Sequence, residues 1–272
     1  MYRRSDHAAL LLTPEKFVMA DNDHLLIEVD ADVLRLTINR PDKRNALSLG
    51  LLKDLGAALH AHRLTPLKCA VLTGAGDRCF AAGGDLKELD AIRTTLEARR
   101  MAELGHDALD EIRYFPVPVI GAINGLALGG GAELAMACDI RIAAGHADLG
   151  LIQAQLNVTT AWGGGIDLIN AVGNNAALSI LCSGKRLTAA EALRLHIYDA
   201  VSAPDAPFDV FVSDYLRGYL ARSINVLRGY KATAAARRKK LHEELTEVAR
   251  EQFVDAWVHQ DHWDAAANAL KK

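Results

Sequence analysis

Apolar and polar positions alternate through "HLLIEVDADVLRLTINR", which predicts two strands, His24–Val29 and Val33–Ile38, joined by a turn at Asp30–Ala31–Asp32. In "SLGLLKDLGAALHAHRL" the apolar residues recur at helical spacing, with Ser48 placed as the N-cap. "KCAVLTG" and "VPVIGAING" are short, continuously apolar runs of the kind buried on both faces of a sheet. Between them, Leu86 to about Tyr114 reads as one long polar helix. The glycines of "LALGGG" lead into a short apolar helix and the strand "DIRIAA". Helices over 174–183 and 188–195 and a last strand in "YDAVSA" follow, and beyond Pro207 only helix is signalled. Residues 1–22 read as a variable leader, 23–203 as a strand-rich α/β core and 204–272 as a C-terminal all-helical region. The short strands and irregularly spaced helices speak against a regularly alternating doubly wound sheet.

Composition adds limits. With 272 residues, 50% apolar and 24% charged, the chain can bury a substantial core. A net charge of −3 lacks the footprint of a nucleic-acid binder, and the basic run Arg237–Arg238–Lys239–Lys240 reads as a solvated helix face. Cys69, Cys79, Cys138 and Cys182 form no CxxC pair, and three lie in apolar runs, which implies reduced thiols and a cytoplasmic protein. The apolar run near the N-terminus is too short for a signal peptide, and no later stretch reaches the roughly 18 apolar residues of a membrane span. His60 with His62 and His259 with His262 are spaced loosely and lack a third ligand nearby, so no metal site is expected.

The chemistry concentrates in "LALGGGAELAMACDIRI". Glycines after a strand turn the chain sharply and bare its N–H groups, and a helix starting there aims its free amides and positive dipole end forward, which suits an anion or oxyanion. Gly129 and Gly131 are followed by Leu134 where a dinucleotide fingerprint needs glycine or alanine, and no P-loop Lys-Ser/Thr follows. A tight strand–helix turn alone would also use such glycines. A second glycine stretch, "CFAAGGDLKEL", again sits between a strand and a helix, and two such loops can give one N–H each to a single carbonyl oxygen. Glu133 stands alone among apolar residues behind the glycines. A carboxylate there needs a partner or a task, and it either caps amides of its own helix or takes part in chemistry.

Taken in order and spacing, "LTINRPDKRNALS", "FAAGGDLKEL" and "NGLALGGGAELAMACDIRIAA" resemble the crotonase superfamily, the enoyl-CoA hydratase/isomerase family. The resemblance spans about residues 25–203 and implies a ββα spiral whose C-terminal helices build a homotrimer or homohexamer. It implies an acyl-CoA thioester as substrate, with coenzyme A entering as part of the substrate and no separate cofactor. The thioester oxygen would lie between the N–H groups of Gly84 and Gly130. Lys43, Arg44, Ala46 and Leu47 would lie along CoA, with Ala82, Asp85 and Leu86 from the second loop, Asp85 holding that loop in shape. Glu133 matches the first of two hydratase glutamates, the one that positions and activates water.

The pattern departs at "ADLGLIQAQLNVTTAWGGGIDL". The second glutamate's place falls on Gln153, whose amide cannot exchange a proton near neutral pH. Trp162 stands where hydratases have a small residue, and Asp167 where they have arginine. Trp162 either packs the core or narrows and dries the acyl pocket. A retained first glutamate, a lost second one and this Trp are similar to the branch that decarboxylates alkylmalonyl-CoA. Three readings stay open: a hydratase-like lyase, an alkylmalonyl-type acyl-CoA decarboxylase, and a scaffold that binds CoA or a partner without turnover. Phe253, Trp257 and Trp263 in the C-terminal region are expected to pack between subunits.

Overall fold

The computed structural model describes residues 24–204 and 206–269, and the leader expected over 1–22 lies outside them. The described residues open with β1 (Leu25–Asp30), β2 (Val33–Ile38), α1 (Leu49–Ala61), β3 (Cys69–Gly74) and β4 (Cys79–Ala81). It continues through α2 (Leu86–Leu89), α3 (Thr95–Arg113), β5 (Val119–Ile123), β6 (Leu126–Leu128), α4 (Gly130–Ala137), β7 (Ile140–Ala143) and β8 (Leu149–Gly150). Then come α5 (Gly164–Val172), α6 (Asn174–Ser183), α7 (Ala189–Arg194) and β9 (Ala200–Val201). The helices α8 (Phe208–Leu220), α9 (Ile224–Val258) and α10 (Gln260–Ala269) complete the described chain.

The larger sheet runs β1-β2-β3-β5-β7-β9, antiparallel at the β1–β2 hairpin and parallel beyond it. Leu34, Leu36 and Ile38 of β2 pack with Leu51, Leu55 and Leu59 of α1 in the main core. Val33, Val71, Ile120 and Ile142 are covered by Val212 and Leu216 of α8. The smaller sheet, β4-β6-β8, is parallel, with Cys79 opposite Leu126 and Ala81 opposite Ala127. These strands of two or three residues are too short to leave a periodic signal. They matter most for function, because both glycine loops leave the ends of the adjacent strands β4 and β6.

Three expectations change. Leu86–Tyr114 is two helices, because Thr94 and Glu97 form a capping box that starts α3 afresh. In the basic run, Arg237, Lys239 and Lys240 are exposed, but Arg238 points inward and is buried. Phe253 and Trp257 are buried against their own chain rather than left free for a neighbour, and the Arg93 guanidinium stacks 3.6 Å over the half-buried Trp263 ring. The Trp257 indole donates to Ile92 O (3.0 Å) and His262 Nδ1 pairs with Leu156 O (2.8 Å), so α10 and the end of α9 fold back over the core. The cysteines match expectation in three cases: Cys69, Cys79 and Cys138 are buried, and Cys182 is exposed.

Between α3 and α9, His106 is buried and paired with Thr246 Oγ1 (3.2 Å). Burial holds its imidazole down at about 4, against the pull of Asp110, so it is neutral when folded. Unfolded, it takes a proton below the ordinary histidine value of about 6.5. The folded protein therefore loses stability as pH falls from about 6.5 toward 4, by up to roughly 3 kcal/mol from this group. Denaturant titrations of His106→Gln across that range should show a shallower acid loss than the unchanged protein. Parallel curves would contradict this origin.

Candidate active site

The loop after β2 and the loop after β4 are stitched together by main-chain bonds. Leu47 N–H donates to Gly83 O (2.8 Å), Asp85 N–H to Leu47 O (2.9 Å) and Ala82 N–H to Arg44 O (3.0 Å). Arg40 adds side-chain bonds, donating to Ala46 O (2.5 Å) and pairing with Asp85 (2.9 Å). Buried Asn45 accepts from Arg40 N–H and donates to Ala75 O and Cys79 O. Asp85 thus ties its loop to Arg40 and to Leu47. Leu47 differs from expectation: its side chain is in the core, and its main chain acts as the rung beside Gly84.

Gly129 follows β6 with φ 52° and ψ −122°, a conformation that glycine alone adopts readily, and α4 begins at Gly130. Glu133 N–H closes onto Gly129 O (3.0 Å), so the Gly130 amide lies in the first turn, where a helix leaves N–H groups without an internal partner. Among the described residues no acceptor is paired with the Gly84 N–H. A β-carbon built on Gly83 would lie 3.7 Å from the Gly130 nitrogen, which shows how closely the two loops abut. Two free amides at the mouth of one cavity can hold an oxyanion.

That cavity, of about 950 Å³, is lined by Lys43, Arg44, Ala46, Ala82, Gly84, Asp85, Leu86, Gly130, Glu133, Gln153 and Trp162. Of the residues expected at the oxyanion site or along CoA, all but Leu47 line it, and Asp167 lies outside the lining. Met101, Phe253, Trp257 and Trp263 also line it and were missed as site residues. The aromatic spacing in the tail was visible, but the fold-back that brings it to the site was not.

Glu133 is only 2% exposed, and both its oxygens are filled by donors. Oε1 accepts from Gln153 Nε2 (2.9 Å) and Ala161 N–H (3.2 Å), and Oε2 from Trp162 N–H (2.8 Å) and Gly164 N–H (3.0 Å). Those amides open α5, so the carboxylate caps a neighbouring helix rather than its own. Burial pushes the Glu133 carboxyl above the ordinary range, while the amides of Gly164, Trp162 and Ala161 pull it back in part. With its amide nitrogen committed to Glu133, Gln153 leaves Oε1 buried and without a hydrogen-bond donor.

The Trp162 ring bridges α3 and the oxyanion loop. A β-carbon built on Gly130 would strike Cζ3 of the ring, and one on Gly105 would strike Cδ1 and Nε1. Gly105 is therefore the notch in α3 that admits the indole, and a glycine inside an amphipathic helix was its sequence signal. The wall so formed stands directly beside Gly130. Behind the site, His106, Asp110 and His242 bring ligand atoms within 4.8 Å of one another. Asp110 is committed to Arg113 (2.9 Å) and His242 to Asp167 (2.8 Å), so this trio belongs to a charge cluster.

Residues 28–266 match the family model "Enoyl-CoA hydratase/isomerase". The chain is 35% identical over 183 residues to a short-chain-enoyl-CoA hydratase of Clostridium acetobutylicum, covering 67% of this chain and 70% of that protein. It is 35% identical over 184 residues to a crotonyl-CoA hydratase of Syntrophomonas wolfei, with the same coverage of 67% and 70%. The crystal structure of an enoyl-CoA hydratase from Bacillus anthracis superposes with a TM-score of 0.74 at 28% identity, over 83% of this chain and 90% of that one.

Two substitutions test this geometry. Gly130→Val should cost on the order of 10²-fold or more in turnover of a CoA thioester, because it distorts the donor and crowds the oxyanion. Undiminished turnover would remove the site. Gly105→Ala should destabilise by about 1–3 kcal/mol in denaturant unfolding, and that cost should largely vanish in a Trp162→Ala background. An equal cost in both backgrounds would mean that the indole does not depend on this notch.

Proposed function

Because the chain belongs to the enoyl-CoA hydratase/isomerase family, we propose that it is an acyl-CoA lyase. In this reading its principal catalytic device is the pair of amides at Gly84 and Gly130. The observation that carries the proposal is the saturation of Glu133. An ionised carboxylate offers about four acceptor positions, and four donors fill them here. Gln153 cannot exchange protons. Chemistry that leans on stabilising an enolate, with little proton transfer beforehand, suits this site better than acid–base addition of water.

Decarboxylation of a malonyl-type thioester meets that requirement. The bond from Cα to the carboxylate breaks, its electron pair moves into the thioester to form the enolate, CO2 leaves, and Cα then takes a proton. The buried, donor-saturated Glu133 and the amide of Gln153 line the cavity without a free cation or donor for a bound carboxylate, which disfavours that carboxylate relative to neutral CO2. The Trp162 wall restricts the acyl group to a small one. Lys43, Arg44, Ala46, Ala82 and Leu86 hold the CoA portion, so no separate cofactor enters the reading.

Hydration is the second reading. It is favoured by the upward-shifted Glu133 carboxyl and by the names of the relatives. A binding scaffold without turnover is the third, and any thioester turnover eliminates it.

We also propose a homotrimer or homohexamer. Exposed Val210, Val226 and Tyr230 on α8 and α9 support it in place of the tail aromatics. Light scattering at micromolar concentration should return three or six chain masses, and a monomer mass would overturn it.

The reaction is tested by paired assays on crotonyl-CoA and on methylmalonyl- and ethylmalonyl-CoA. The unchanged protein should decarboxylate and hydrate only slowly, lacking acid–base help worth about 10²–10⁴-fold. Gln153→Glu should raise hydration and leave decarboxylation unchanged or lower. Glu133→Gln should damage both, because its new NH2 group meets N–H donors of the 161–164 turn. Brisk hydration by the unchanged protein would contradict the first reading and favour the second.

A further inference from the structure

Asp167, near the start of α5, is buried beneath the site among cations. Its Oδ2 accepts from Arg113 Nε (3.1 Å) and Nη2 (2.9 Å), and its Oδ1 from Arg238 Nε (2.8 Å), with His242 Nε2 also at 2.8 Å from Oδ1. Each arginine has a second hold on the site. Arg113, fully buried, donates through Nη2 to the Trp162 carbonyl (2.7 Å). Arg238 donates to Met136 O (2.7 Å) and Ala137 O (2.9 Å), the last carbonyls of α4, whose first residue is Gly130. The shared carboxylate thus couples the far end of the oxyanion helix to the peptide that carries the Trp162 wall. Lys231, Arg238 and His242 lie on one face of α9, so the C-terminal region delivers half of this clamp.

We infer that Asp167 is a positioning residue for the oxyanion site, setting α4 and the 161–164 turn in register through Arg238 and Arg113. This rests on the oxyanion part of the proposed function and on neither of its competing reactions. The distinction from a merely structural ion cluster is directional. Through Arg238 and Arg113 the bonds of Asp167 lead to the C-terminal end of α4 and to the Trp162 carbonyl, and none leads to the Lys43–Leu47 loop that would hold CoA.

The test uses acetoacetyl-CoA, a stable thioester whose enolate absorbs in the near ultraviolet. In the unchanged protein the bound ligand should develop the enolate band. Asp167→Asn should weaken that band about tenfold while the affinity for free CoA stays within twofold. Arg238→Lys, which keeps the charge and loses the forked contact to α4, should give the same change in smaller measure and serves if Asp167→Asn does not fold. Tyr198→Phe, which loses a buried bond to Ala147 O (3.0 Å) away from the cluster, should leave the band unchanged. A full band in Asp167→Asn, or in Arg238→Lys where only that variant folds, would overturn the positioning role. So would equal loss of enolate and CoA binding. Absence of the band in the unchanged protein would overturn the oxyanion site and this inference with it.

Discussion

The carboxylate of Glu133 bonded to the amides of Ala161, Trp162 and Gly164 is the contact on which the site depends. It joins α4, which begins at the oxyanion glycine, to the turn that presents Trp162 and starts α5. Removing it would leave three amide groups without partners, each unsatisfied group costing about 1–3 kcal/mol if it stays buried. The same bond explains why a carboxylate tolerates burial here: fixed N–H dipoles and the N-terminal end of α5 replace water. The one acid in an otherwise apolar helix is a joint between two helices, at the edge of the cavity it lines.

Charge then works in layers. Nearest the cavity, the fields come from backbone amides at Gly84, Gly130 and the 161–164 turn. Behind them, Asp167 is held well below the usual carboxylate range by Arg113, Arg238 and His242, in spite of burial. Beyond that, Lys231 pairs with Asp139 and caps the Arg113 carbonyl (2.9 Å). Each buried charge in this chain of contacts has an opposite neighbour. The indole of Trp162 sits between the layers, pressed against Gly105 on one side and Gly130 on the other. The shape of the acyl end of the cavity is thereby tied to the packing of α3.

The motifs legible in the sequence were local ones. The β1–β2 hairpin, the Ser48 cap, the buried strands and the two glycine loops each carry a signal within a dozen residues, and the structure has all of them. The grouping of Gly84, Gly130, Glu133, Gln153 and Trp162 follows from the resemblance, and in the structure these residues line one cavity. What could not be read depends on contacts between distant segments. Arg238 looked like one member of a solvated basic run, because only the docking of α9 shows that it faces Asp167. Gly105 carries no meaning in its own helix, because the space it leaves is taken by the indole of residue 162. Phe253 and Trp257, expected between subunits, instead cover the surface of their own chain, which only the fold-back of the tail shows.

The most direct measurement of the account is a crystal structure of the protein with a bound malonyl-type CoA thioester analogue that cannot lose CO2. The thioester oxygen should lie about 2.7–3.1 Å from both the Gly84 and Gly130 nitrogens. The Glu133 carboxylate should remain bonded to Trp162 and Gly164, with the ligand's acyl end against the Trp162 ring. A thioester oxygen bound elsewhere, or a Glu133 carboxylate released from the turn to hold a water over the acyl chain, would contradict it.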